Sequence, residues 1–202
     1  MNEATLKLLQ RVNPRVIIDG GASDGRWSKE LWPHFQTAEY ILVDPLEYPN
    51  KWEGAGVHWV HKCLHAPGIA EVPFCKTDDP FRSGSYDNAA EYKPAVSLVE
   101  LAGEAKDIFL KLDTHGVERE ILKPLGQLFN QISAIQIEVY NFHLTETSPR
   151  FGEINAFIES KGYRLATLVD ALWRGDGCLW QMDFLYLRKT NPVFKNEGFF
   201  YM

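Results

Sequence analysis

The sequence predicts a three-layer α/β sandwich on a mainly parallel sheet, with an antiparallel hairpin at its C-terminal edge. Three observations predict it. Short, continuous β-branched runs recur, of the kind buried on both faces of a parallel sheet; RVIID (15–19), YILVD (40–44) and DIFLKLD (107–113) are the clearest. Segments with helical spacing separate them, so strand and helix alternate. The last two strand-like runs, 163–169 and 182–188, have no helix between them, which points to a hairpin. With 202 residues the chain is expected to form one domain over 1–202, because single cores stop growing near roughly 250 residues.

In order along the chain, residues 4–12 read as a short amphipathic helix ended by Asn13-Pro14, and RVIID follows as the first strand. GGASDGRWSKELW passes from glycines into a helix that turns Trp27, Leu31 and Phe35 toward the sheet, its end blurred by Pro33. YILVD is the second strand. Val57–Leu64 and Ile69–Phe74 read as further strands joined across Pro67-Gly68. Residues 75–94 show no periodicity and read as one long loop, a length that is usually functional. DIFLKLD is then a strand, GVEREILKPLGQLF a helix and SAIQIEVY (133–140) a strand. Residues 149–160 carry Phe151, Ile154, Phe157 and Ile158 at helical spacing, with Gly162 as a C′ glycine.

Composition excludes several classes. The net charge of -6 lacks the basic stripe needed to displace counterions from phosphates, so no nucleic-acid partner is expected. Three cysteines without C-x-x-C spacing supply neither a disulfide framework nor a zinc site and read as reduced thiols. No run approaches the roughly 20 apolar residues of a membrane span, and the first residues lack a basic patch followed by an apolar run. A soluble, cytoplasmic protein without a membrane partner is expected.

In such a sheet a ligand binds beyond the carboxyl ends of the strands, near the switch point beside the first strand. That end carries Asp19-Gly20-Gly21-Ala22-Ser23-Asp24-Gly25, of the form D-x-G-x-x-x-G, whose glycines permit a tight turn and close backbone approach to a ligand. The dinucleotide fingerprint G-x-G-x-x-G is not met, since Ala22 stands where glycine is required. Asp19 and Asp24 would repel a pyrophosphate and suit a cationic ligand. Asp44 ends the second strand at the spacing where a carboxylate reaches ribose hydroxyls. Asp44-Pro45 is also a common way to end a strand. Asp113, His115, Glu138 and His143 follow the later strands, within reach of the same ligand.

The block KLDTHGVEREIL (111–122) resembles the signature of FkbM-type methyltransferases, class I enzymes that use S-adenosylmethionine, in which a strand ending K-[IL]-D runs into a Gly-x-Glu helix start. VIIDGGASDGRWS, ILVDP, AIQIEVY and DFLYLRK fit the same family in the same order, so the resemblance covers roughly 15–188. It implies a Rossmann-like fold with S-adenosylmethionine as cofactor. Asp19, Gly20, Gly21, Ala22, Ser23 and Gly25 would then line its methionine part, Asp44 with Pro45 would hold the ribose, and the stretch 62–65, Cys63 and Leu64 above all, would lie near the adenine. His115 stands where the family often has Glu, and Asp44 where it commonly has Glu.

The resemblance implies transfer of a methyl group, here expected to go to a hydroxyl of a small molecule or glycan. A sulfonium methyl is already activated, so alignment does most of the work. A general base would contribute about 10²–10⁴-fold. His115 is the expected base because an unperturbed imidazole titrates near ~6.5. Asp113 orients it, or bonds the methionine amino group, or caps the next helix. Glu138 is a base or substrate ligand. Arg82, Ser85 and Tyr86, in the long loop, and His143 are candidate acceptor contacts. No metal is expected, the alternative being an oxygen-rich divalent site of Asp113, Glu138 and Asn141. A nicotinamide-dependent oxidoreductase and a non-catalytic binding module of the same fold are the competing readings.

Overall fold

A computed structural model describes residues 1–77, 83–84, 91–146 and 148–195. Its strands are β1 (Val16–Gly20), β2 (Glu39–Val43), β3 (Val57–Val60), β4 (Cys63–His65), β5 (Glu71–Phe74), β6 (Glu91–Ser97), β7 (Ile108–Leu112), β8 (Ile132–Tyr140), β9 (Tyr163–Trp173) and β10 (Leu179–Arg188). The helices are α1 (Glu3–Val12), α2 (Arg26–Leu31), α3 (Leu98–Ala102), α4 (Glu118–Leu122) and α5 (Phe151–Ser160).

Seven strands form one sheet in the order β3-β2-β1-β7-β8-β10-β9. β1, β2, β3, β7 and β8 pair in parallel, and β10 is antiparallel to both neighbours. The alternation of strand and helix and the closing hairpin are therefore as the sequence predicts. From β1 the chain builds outward through β2 and β3, then returns to β7 on the other side of β1. The order reverses between β1 and β7, and the crevice at their carboxyl ends is where such sheets bind ligands.

The central strands β1, β7 and β8 are buried on both faces, which is why they read as mainly apolar runs. On one face Ile17, Phe109, Ala134 and Leu185 pack against Leu9 of α1 and Leu31 of α2. On the other, Ile18, Leu110, Ile135 and Tyr186 pack against Ile121 of α4 and Ile154 and Ile158 of α5. α1 starts where the Asn2 side chain accepts from the Thr5 N–H (2.9 Å) and stops at Asn13, whose φ of 49° is left-handed. The Asn2 amide donates to the Val169 carbonyl (2.8 Å), which ties the helix to β9.

Four local differences from the sequence reading have physical causes. The run 57–64 is two strands, because the Lys62 N–H turns back onto the Val60 carbonyl (2.9 Å) in a three-residue turn and β4 leaves the main sheet. β4 joins β6 and β5 in a second, three-stranded sheet. β6 was hidden inside the expected loop by its polar start and by Pro94, a residue unusual within a strand. α3 opens on a capping box of Ser97 and Glu100, an S-x-x-E signal that was legible. The helix expected over 116–129 ends as α4, and a looser 3-10 run over Lys123–Gln131 breaks at Gly126 (φ 49°).

Candidate active site

The carboxyl ends of β1, β2, β7 and β8 surround an open cleft of about 260 Å³. The β1–α2 turn forms its floor. Gly21 has φ +77°, and a Cβ there would stand 1.9 Å from the Asp113 carbonyl oxygen. The close approach that requires this glycine is thus between two strand ends of the chain itself. Gly20 is similarly crowded by Leu64, and its carbonyl accepts from the Asp113 N–H (2.9 Å). Gly25 (φ +79°) opens α2 against Leu42 and Trp59.

Beneath the turn lies a buried charge pair. Asp19 is 0% exposed; one oxygen accepts from the Ser28 hydroxyl (2.7 Å) and the other lies 3.1 Å from the Lys111 ammonium. Lys111 sits opposite Asp19 in the β1–β7 register. It also reaches Asp113 (3.2 Å), donates to the Gly21 carbonyl (3.2 Å) and lies 5.5 Å from the centre of the Trp27 ring. Burial opposes its charge, but Asp113 and Asp19 outweigh burial and raise its pKa. Lys111 is one site residue without a role in the sequence reading, and its signal was a lone lysine in the apolar strand IFLKL.

This pairing corrects one inference from sequence. Asp19 is balanced by Lys111, and Asp24 by Arg26 at 2.8 Å, so neither supplies free negative charge to a ligand. The acids on the cleft are Asp44, Asp113 and Glu138. Asp44 is 7% exposed, and its oxygens accept from the Ser23 and Leu46 N–H groups, both at 2.9 Å. Burial pushes its carboxyl up to about 6 against these hydrogen bonds. Beside it Cys63, Leu64, Leu46 and Phe74 make an apolar wall. Burial raises the Cys63 thiol to about 12, so it stays neutral and packs as a hydrophobe.

At the other end of the cleft Asp113, His115 and Glu138 converge. The backbone of His115 is left-handed (φ 56°), a conformation rare outside glycine. Glu118 explains how it is held: this buried carboxylate accepts from the Thr114 N–H (3.1 Å), the Thr114 hydroxyl (3.0 Å) and the Gly116 N–H (3.0 Å). The Gly-x-Glu signature is therefore a staple for the loop that presents His115. The ring Nδ1 lies 2.9 Å from the Ser83 carbonyl, which can only accept, so Nδ1 carries a hydrogen. Nε2 lies 3.3 Å from Asp113 and 3.6 Å from Glu138.

Glu138 is 6% exposed and accepts from the Tyr140 hydroxyl and the Gln181 amide. Burial, with the charge of Asp113, pushes its carboxyl up to about 9. Burial works against a charged His115, but Asp113 and Glu138 raise it to about 9. Burial also disfavours ionised Asp113, yet Lys111 and His115 hold that carboxyl well below the usual range. A free imidazole at neutral pH, as the sequence suggested, is not what the surroundings of His115 favour.

Of the other sequence candidates, Gly21, Ser23, Pro45, Cys63 and Leu64 line the cleft with Asp44, whereas Asp19, Gly20, Ala22 and Gly25 stand behind it. His143 lies off the cleft, its Nδ1 2.6 Å from the Ser148 carbonyl. Asn141 donates to the Leu179 carbonyl (3.3 Å), so the oxygen-rich trio with Asp113 and Glu138 does not assemble. Arg82, Ser85 and Tyr86 fall outside the described residues. Tyr140 and Gln181 were not anticipated, because only the β8–β10 register brings them to Glu138.

The family model described as the methyltransferase FkbM domain matches residues 19–165. No curated protein sequence matches the chain. Among solved structures, a methyltransferase FkbM from Methylobacillus flagellatus KT is similar with a TM-score of 0.54 at 12% identity, over 87% of this chain and 44% of that one. The present chain thus spans under half of that protein's length. The 1,6-didemethyltoxoflavin-N1-methyltransferase of Burkholderia thailandensis gives a TM-score of 0.47 at 13% identity, over 93% of this chain and 79% of that one. The precorrin-6y C5,15-methyltransferase of Geobacter metallireducens GS-15 gives 0.47 at 12%, over 93% and 91%. Among the described residues no helix is long and apolar enough to cross a membrane. The family match runs from Asp19 at the end of β1 into β9 and takes in the ends of β1, β2, β7 and β8, and the chain belongs to the methyltransferase FkbM domain family.

Proposed function

We propose that the cleft binds S-adenosylmethionine and directs its methyl group to a hydroxyl of a small molecule or glycan. The observation that carries this reading is Asp44: a buried carboxylate at the end of β2, beside the glycine turn and an apolar wall, with a second acidic cluster across the cleft. A vicinal diol can bond the lone pairs of Asp44 that the Ser23 and Leu46 N–H groups leave over, and Leu64 and Cys63 offer a base-sized apolar contact. Asp113 faces the methionine end. The cofactor supplies an activated methyl; the chain supplies alignment, which in well-oriented systems is worth about 7–11 kcal/mol.

In this reading Asp113, His115 and Glu138 form the catalytic set. His115 and Glu138 hold the acceptor oxygen, whose proton leaves to cleft water because both groups are already protonated at neutral pH, and Asp113 orients His115. Ser83 already reaches His115 from the acceptor side, and Arg82, Ser85 and Tyr86 adjoin it in sequence as acceptor contacts. The three free thiols accord with a reducing, cytoplasmic setting.

Thermal melting with S-adenosylhomocysteine and with NAD tests the cofactor. S-adenosylhomocysteine at 100 times its dissociation constant should stabilise the fold by about 2.7 kcal/mol. Stabilisation by NAD alone would favour the oxidoreductase and end this reading.

Asp44 predicts a pH dependence. Its folded pKa, raised to about 6 by burial, means that it takes up a proton as pH falls through 6, losing the charged acceptor offered to the diol. The groups facing it include Asp19 and Lys111, with Tyr48 and Cys63 both raised to about 12 and neutral in this range. S-adenosylhomocysteine affinity, measured by calorimetry, should weaken by up to about tenfold from pH 7.5 to 5, the ceiling set by protonating one group that titrates near 6. Asp44→Asn should bind weakly at both values. A flat wild-type profile would remove Asp44 from the ribose site.

A further inference from the structure

We propose that Asp113, His115 and Glu138 together bind one divalent metal ion at the acceptor end of the cleft. One nitrogen and two carboxylate oxygens from these residues lie within 4.8 Å of one another. Two ligand atoms each about 2.1 Å from an ion stand about 3.0 Å apart at a right angle and about 3.4 Å apart at the tetrahedral angle. The separations of 3.3 Å (His115 to Asp113) and 3.6 Å (His115 to Glu138) lie close to these values, and the two carboxylates would draw slightly inward on an ion. They exceed the roughly 2.7–2.9 Å of a charge-assisted N–H···O bond.

Each donor is aimed from behind. His115 uses Nδ1 on the Ser83 carbonyl, which leaves Nε2 as the atom facing the two carboxylates. Asp113 gives Oδ2 to Lys111, while Oδ1 is buried and accepts no hydrogen bond within the protein. Its one near partner is His115 Nε2 at 3.3 Å, an ionic contact without hydrogen-bond geometry, so the oxygen keeps its lone pairs for a further ligand. Glu138 is steadied by Tyr140 and Gln181, and the His115 loop by Glu118. Partners of this kind orient ligands around bound metals. A single imidazole with two carboxylates suits a first-row divalent ion such as Mn²⁺ or Zn²⁺ more than Ca²⁺, and three protein ligands leave positions open toward the cleft.

The inference deepens the function proposed above and rests on it for its role. The acceptor hydroxyl would take an open position, its O–H bond breaking to release a proton to cleft water. The oxygen–carbon bond then forms as the sulfur–carbon bond breaks, leaving a neutral thioether. Bound metal ions acidify oxygen ligands in this way.

The test uses the full chain, freed of metal with EDTA and titrated with Mn²⁺, free Mn²⁺ being read by electron paramagnetic resonance. One site per chain with micromolar affinity is expected, and pulsed spectra should show coupling to an imidazole nitrogen. His115→Gln should abolish the coupling and weaken binding at least tenfold; Asp113→Asn, a gentler change, should also weaken it at least tenfold. Only millimolar, multi-site binding in the wild type, or a site without nitrogen coupling, would overturn the proposal without any variant needing to fold. Calorimetry of S-adenosylhomocysteine on the metal-free protein separates the two readings. Cofactor binding without Mn²⁺ binding sinks the metal site alone, and Mn²⁺ binding without cofactor binding sinks the cofactor reading alone.

Discussion

Gly21→Ala is expected to lower the unfolding free energy by about 2–5 kcal/mol and to abolish binding of S-adenosylhomocysteine. The new Cβ would lie 1.9 Å from the Asp113 carbonyl oxygen, a separation no packed pair of atoms tolerates. The obstacle is backbone, so no side-chain rotation relieves it, and the ends of β1 and β7 have to part. Parting them strains the Gly21 and Ala22 N–H bonds to the Val43 carbonyl (2.9 and 3.1 Å) and the Asp113 N–H bond to the Gly20 carbonyl (2.9 Å). Overpacking of this kind costs typically 1–3 kcal/mol, and the left-handed φ of +77° adds about 1–2 for any residue with a Cβ. For a chain of this size that total shifts the melting temperature by roughly 10 °C. Gly68→Ala is the control, since Gly68 has φ +81° and nothing within 4 Å of the position of a Cβ. It should lose only the conformational part, about 1–2 kcal/mol. Equal losses in denaturant titrations would mean that the contact with Asp113 is not what Gly21 is for.

The same contact shows how far sequence reasoning reaches. That residue 21 must be glycine was legible from the D-x-G-x-x-x-G spacing, but the partner it makes room for was not, because Asp113 arrives from a strand 92 positions later. The central parallel strands were legible because burial on both faces makes their runs mainly apolar. Lys111 lies inside one of them, and its meaning appears only with the register that sets it opposite Asp19. Glu138 was found as a strand-end carboxylate, and the two-residue period of a strand carries Tyr140 to the same side, where its hydroxyl reaches Glu138. Asn141 and His143 lie past the strand, where that period no longer holds, and they turn to Leu179 and Ser148 instead. Gln181 comes from the antiparallel hairpin, whose existence was predicted but whose register was not. The small sheet was missed because β6 contains a proline and because its partners β4 and β5 read only as further strands, with no sign of a separate sheet.

Lys111→Met should destabilise the fold by about 3–5 kcal/mol, the usual cost of removing one partner from a buried ion pair. Methionine fills much the same volume, so the loss measures charge and hydrogen bonding more than packing. Without the ammonium, Asp19 keeps only the Ser28 hydroxyl on one oxygen, and its other oxygen faces apolar surroundings at 0% exposure. Asp113 loses the partner that holds Oδ2, and with it the constraint that aims Oδ1 toward His115. Asp19→Asn in the Lys111→Met background removes one of the two stranded charges and should restore a substantial part of the stability. The cycle formed by the two single variants and the double should therefore give a coupling energy above about 1 kcal/mol, measured by denaturant unfolding. Because the pair is buried, that coupling should change little between low and high salt, unlike the exposed Arg26–Asp24 pair. A Lys111→Met protein within 1 kcal/mol of wild type would show that Asp19 and Asp113 do not depend on this cation. The β1–β7 seam would then owe its order to packing alone, and the placement of Asp113 on the cleft would need another cause.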